Sequence, residues 1–140
     1  MERIVYKIGK IREYLSIVYS IKDDCHNRFT IDPIYRGAML HYLYLLSDSC
    51  ITLAELVIKY KKLRIPQTYY EAIDILGENN IINPVFAYSF AKIAGFRNYL
   101  AHDYEQISPI IICNEILNKL QDIENYLSQI EKSLGIDFYN

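Results

Sequence analysis

Apolar residues return along this chain in alternating steps of four and three. Ile4, Ile8, Ile11, Leu15 and Val18 do so near the start, and Met39, Leu43, Leu46, Cys50, Leu53 and Val57 in the middle. Ile116, Leu120, Ile123, Leu127, Ile130 and Leu134 repeat the pattern toward the end. Such spacing keeps one stripe facing a neighbouring helix, as in antiparallel bundles. It predicts helices over about 2–22, 33–62 and 109–134, with a fourth over about 84–101 and a short one from Thr68 to Leu76. No strand pair with hairpin chemistry, linker, repeat or low-complexity tract interrupts the pattern. The expected fold class is all-α, a single domain over residues 1–140 built as an up-and-down bundle of four long helices plus a short one.

The punctuation agrees. Asp32-Pro33, Asn83-Pro84 and Ser108-Pro109 each pair a capping side chain with proline at the first helical position. Lys59, Lys61, Lys62 and Arg64 fall where the second helix ends, which suits its dipole, and Pro66 follows. The cluster is expected to be a solvated helix end. Gly77 to Asn83 reads as a turn, and Gly135 as the stop of the last helix.

Composition adds limits. A net charge of −2 and a pI near 5.9 exclude a general electrostatic grip on nucleic acid, so any RNA contact must be local. Cys25, Cys50 and Cys113 are far apart and odd in number. That favours buried thiols in a reducing compartment over a disulfide framework. The charged N-terminus lacks an apolar signal core, and no run approaches the ~20 apolar residues of a bilayer span. A cytoplasmic protein without membrane association is therefore expected. His26 and His41 stand alone, the glycines form no phosphate-cradling loop, and no metal-ligand spacing occurs, so no metal site and no cofactor are expected. The 14 tyrosines read as interface fillers whose hydroxyls reach the rim.

One segment carries chemistry: Gly95-Phe96-Arg97-Asn98-Tyr99-Leu100-Ala101-His102-Asp103-Tyr104. Arginine is a fixed cation shaped for phosphate oxygens, and histidine exchanges a proton near neutral pH. Two registers are open for its helix. One seam runs Phe86, Phe90, Ile93, Arg97, Leu100 and Tyr104; the other runs Ala87, Ala91, Ala94, Asn98 and Ala101. Arg97 and His102 are five residues apart, about 140° around a helix, so they do not share a face. Asn98 and His102 do share one. A site made from Arg97 and His102 needs a helix break near His102 or two copies meeting across an interface. A two-fold dimer would bring both pairs to one axis. Otherwise Arg97 pairs with Asp103 or Glu105, and His102 caps a helix end.

Read as Arg97-Asn98-x3-His102-x-Tyr104 near the end of the fourth helix, the chain resembles the HEPN superfamily, and within it the HepT group of toxins. Arg36, Pro66-x-x-Tyr69-Tyr70-Glu71 and Ala94-Gly95-Phe96 contribute to the resemblance, which covers nearly the whole chain. It implies a homodimeric, metal-independent ribonuclease with RNA as substrate. Arg97 and His102 match the catalytic pair, and Asn98 the supporting polar residue. Tyr104 matches the tyrosine that receives AMP from an MNT-type nucleotidyltransferase antitoxin. The implied chemistry uses the RNA 2′-hydroxyl as nucleophile. Family members often carry an acidic pair on the second helix; the matching positions here are Asp48 and Thr52, which leaves one acid, and Asp48 is given no catalytic role. The alternative is a non-catalytic binding subunit that presents substrate or nucleotide to a nucleotidyltransferase. A purely structural bundle is the third reading.

Overall fold

A computed structural model describes residues 1–136, with the side chain of Tyr104 outside the description. Helices account for every regular element among the described residues. The α-helices of seven residues or more are α1 (Glu2–Ile21), α2 (Pro33–Tyr60), α3 (Tyr69–Glu78), α4 (Pro84–Phe90), α5 (Ile93–His102) and α6 (Leu120–Leu134); a single four-residue turn of helix, Cys25–Arg28, and short 3₁₀ and π turns lie between them. No helix among them is long and apolar enough to cross a membrane.

The first two apolar stripes pack as their spacing requires. Every residue of the α1 stripe and every residue of the α2 stripe is buried. α2 is the central helix, lying against α1, α3 and α5. Asp32 caps it by accepting from the Ile34 and Tyr35 amides, and Asn83 does the same for α4 through Val85 and Phe86. Gly135 closes α6 in the left-handed region at φ 67°.

Three expectations need correction. The helix expected over 84–101 is two helices, α4 and α5, joined by a tight turn at Ala91–Lys92. There Ala94 N–H donates to Ala91 O, three residues back, instead of four. The break rotates α5 relative to α4, so neither proposed register runs through. Phe90 and Leu100 come from one seam and Ala87, Ala91 and Ala94 from the other. The last helix is also irregular at its start. It has a wide π-type turn over Ile111–Ile116 and a 3₁₀ turn over Leu117–Lys119 before α6 begins. Finally, Gly77 lies inside α3, buried against α4, where a Cβ would meet the Ala87 Cβ at 2.5 Å. It is a packing glycine that lets the two helices approach, and the turn begins after it.

The cysteines also depart from expectation. Cys25 and Cys113 form a disulfide with their Cα atoms 5.6 Å apart, tying the turn after α1 to the irregular segment before α6. Long separation in sequence hid two positions that the bundle brings side by side. Cys50 alone is the buried free thiol, and burial pushes its ionisation well above the usual range. α6 is clamped to α1 by a bidentate ion pair, Arg12 Nη1 and Nη2 donating to buried Glu131 at 2.8 and 2.6 Å. The basic cluster after α2 is more than a solvated helix end: Arg64 reaches across to Glu71 and Glu78 on α3.

Candidate active site

Arg97 sits on the face of α5 that meets α2, with its side chain 16% exposed. A guanidinium at a packed interface must be paired, and this one is held from three sides. Nε donates to Asp48 Oδ1 at 3.1 Å, Nη2 to the Tyr44 hydroxyl at 3.1 Å, and Nη1 to Asn98 Oδ1 at 3.3 Å. The guanidinium carbon lies 5.3 Å from the Tyr44 ring centre and 4.8 Å from that of Tyr69. Burial works against its charge, but the bond to Asp48, aided by the two tyrosines, outweighs it, so the cation is held more firmly than usual.

Those three bonds use three of the five N–H groups of the guanidinium. One N–H on each terminal nitrogen is left for an incoming anion. Asp48 and Tyr44 are four residues apart on α2 and share a face, which is why both reach Arg97. Asp103 and Glu105, the partners of the alternative structural reading, are not the ones chosen: both follow α5 and are exposed, whereas Asp48 faces Arg97 across the helix interface.

Tyr69 and Tyr70 open α3 next to α5. A Cβ at position 95 would collide with the Tyr70 hydroxyl, so Gly95 makes room for it. His102 is the last residue of α5 and is exposed. Arg97 and His102 both lie within regular helix, so their divergence of about 140° stands. The structure brings Asn98, Asp48, Tyr44 and Tyr69 to Arg97, and none of its hydrogen bonds joins Arg97 to His102. Asn98, which shares a helix face with His102, accepts from Arg97.

Tyr104 does not continue the helix. α5 ends at His102 with Asp103 as its cap, and Tyr104 starts a 3₁₀ turn to Gln106; its side chain lies outside the described residues. The connection is anchored at both ends. Gln106 N–H donates to Asp103 O at 2.8 Å, and Ser108 N–H donates to the Tyr99 hydroxyl at 2.8 Å.

Two hollows flank α5. An open groove of about 330 Å³ is lined by Glu55, Pro66, Gln67, Thr68, Tyr69 and Asn98. An apolar cavity of about 150 Å³ lies between α2, α4, α5 and α6, against Leu43, Phe90, Phe96 and Ile123. Among the described residues, no three His, Cys, Asp or Glu side chains converge as a metal-binding group.

The sequence reading missed Tyr44, Tyr69 and the role of Asp48. The Asp48 and Tyr44 spacing on α2 was visible, but their partner on α5 is 49 and 53 residues away in sequence. Only packing reveals it.

A helical bundle with a polar arginine cluster on one helix interface and an exposed histidine one turn further on defines a class of small all-helical domains. The profile of the "Ribonuclease HepT-like" family matches residues 7–130, and the chain belongs to this family. It is similar to the mRNA nuclease HepT of Shewanella oneidensis, with 24% identity over 91% of this chain and 96% of that protein. It is 30% identical to the tRNA nuclease HepT of Aphanizomenon flos-aquae over 66% of this chain and 63% of that protein. The fold matches that of a tri-AMPylated Shewanella oneidensis HEPN toxin solved in complex with its MNT antitoxin, at TM-score 0.82 and 24% identity, over 92% of this chain and 96% of that one. It also matches YutE, a cytosolic Bacillus subtilis protein of unknown function, at TM-score 0.82 and 16% identity, over 99% and 93% of the two chains.

Proposed function

We propose that this chain is the ribonuclease toxin of a toxin-antitoxin pair. It acts as a single domain, paired as a homodimer in the cytoplasm, with RNA as substrate and an MNT-type nucleotidyltransferase antitoxin as partner. One observation carries the reading: Arg97 is fixed at three points and keeps two N–H groups for a phosphate.

In this reading His102 takes the proton of the RNA 2′-hydroxyl as its oxygen bonds to phosphorus. The bond from phosphorus to the 5′-oxygen breaks, and that oxygen leaves with a proton from water. Arg97 stabilises the extra negative charge in between, and Asn98 steadies the guanidinium. Both reacting groups are side chains, so the reading is metal-independent. Because Arg97 and His102 point about 140° apart on one helix, the second copy completes the site across a two-fold axis. AMP on Tyr104, two residues beyond His102, adds negative charge and bulk next to the site and excludes the RNA phosphate.

Expression of the chain alone is expected to arrest growth with RNA cleavage. His102→Ala and Arg97→Ala relieve the arrest, and Arg97→Lys does not rescue, since an ammonium cannot hold three partners and a phosphate together. Equal toxicity of wild type and His102→Ala sinks the catalytic assignment. Co-expression with the antitoxin is expected to add mass in whole AMP units, and Tyr104→Phe to abolish the gain.

A further inference from the structure

The groove beside Arg97 has the wrong charge for a phosphate and the right walls for a flat, uncharged ligand. Asn98 and Tyr69 line it, and both also touch the Arg97 guanidinium, so groove and site share a wall. Glu55 lies seven residues beyond Asp48 on the same face of α2, about 10 Å along the axis. Its carboxylate repels phosphate oxygens. Partial burial, and then the charge of Asp48, pushes its ionisation up. Pro66 and Tyr69 supply apolar and aromatic surface, and Gln67 supplies an amide. Tyr69 is 37% exposed, enough to stack against a ring.

We propose that this groove is a nucleobase subsite, holding the base adjacent to the phosphate gripped by Arg97, with Glu55 as the specificity-determining acceptor. The inference rests on the ribonuclease reading and adds the substrate preference to it. A carboxylate is satisfied best by two neighbouring N–H donors on one edge of a base. Guanine presents such a pair on its Watson–Crick edge, at N1 and the exocyclic amine. Uracil presents one N–H, and adenine and cytosine only an amino group there. RNA bases are open to such reading where the strand is single. The preferred substrate is therefore single-stranded RNA with guanine next to the scissile phosphate.

The test measures binding of four dinucleotides to the full-length protein. They differ only in the base under test and carry a 2′-deoxy sugar at the junction, so no cleavage occurs. Guanine is expected to bind about tenfold tighter than uracil or more. Glu55→Gln should remove most of that advantage and weaken the uracil dinucleotide far less than the guanine one, with an unaltered helical circular-dichroism spectrum. Equal binding of all four overturns the proposal, as does a guanine preference that survives in Glu55→Gln and Glu55→Ala. Free AMP binding more tightly than any dinucleotide, with that binding lost in Glu55→Gln, also overturns it and assigns the groove to a mononucleotide. Because the readout needs no turnover, intact RNA after incubation with wild type would sink the ribonuclease reading without touching this result.

Discussion

The Arg97 guanidinium donates Nε–H to the Asp48 carboxylate at 3.1 Å, joining α5 to α2 at the point where the two helices pack. That bond sets the direction in which the remaining N–H groups of Arg97 point. Asp48→Ala is expected to leave the bundle folded and to lower RNA cleavage tenfold or more, roughly the effect of losing one charge-assisted bond of about 1.5–3 kcal/mol. Asp48→Asn should recover part of it, because an amide oxygen still accepts. The measurement is single-turnover cleavage beside a thermal melt. An unfolded Asp48→Asn would make the contact structural rather than positional.

The loop that carries Tyr104 hangs from Tyr99, whose hydroxyl accepts the Ser108 amide. Tyr99→Phe keeps the ring and removes only that acceptor. AMP incorporation at Tyr104 by the co-expressed antitoxin should slow, while RNA cleavage by the unmodified protein stays close to wild type. Intact-mass time courses read the first quantity and cleavage assays the second.

Asp32 connects folding to pH. The Arg28 hydrogen bond, then the Tyr35 and Ile34 amides, hold its carboxyl below its ordinary value of 3.8. The unfolded chain therefore takes up the proton first as pH falls. The stability this group contributes is present above 3.8 and is lost as pH drops through the lower, native value. Melting curves between pH 5 and pH 2.5 should show Asp32→Asn, which still caps the helix, losing less stability than wild type over that interval.

Gly77 and Ala87 set how closely α3 approaches α4. Gly77→Ala improves helix propensity by about 1 kcal/mol yet forces the helices apart, and a net loss of about 1–2 kcal/mol is expected. Ala87→Gly in the same chain should recover part of that loss, seen as a rise in Tm in the double variant.

The Cys25–Cys113 bond closes a loop of 88 residues. Its reduction should cost about 2–4 kcal/mol and lower Tm, whereas a Cys25→Ala, Cys113→Ala double variant should be indifferent to reductant. Thiol titration of the native, oxidised protein should find no reactive group, since Cys50 is buried and its thiol is held protonated.

Helical identity, the caps at Asp32 and Asn83 and the buried stripes of α1 and α2 were all legible in the sequence. Each depends on residues within a few positions of one another, and backbone hydrogen bonding and the 3.6-residue turn act over that range. So was the Arg97, Asn98 and His102 segment, because it is contiguous. The break at Ala91–Lys92 was not, since an alanine-rich stretch has no local reason to stop being helical; the packing of α4 on α3 and of α5 on α2 imposes it. The disulfide, the Asp48 and Tyr44 partners of Arg97 and the groove behind Asn98 belong wholly to the tertiary structure. They join residues tens of positions apart, and burial of the apolar stripes, which is non-directional, decides which distant polar groups come to face each other.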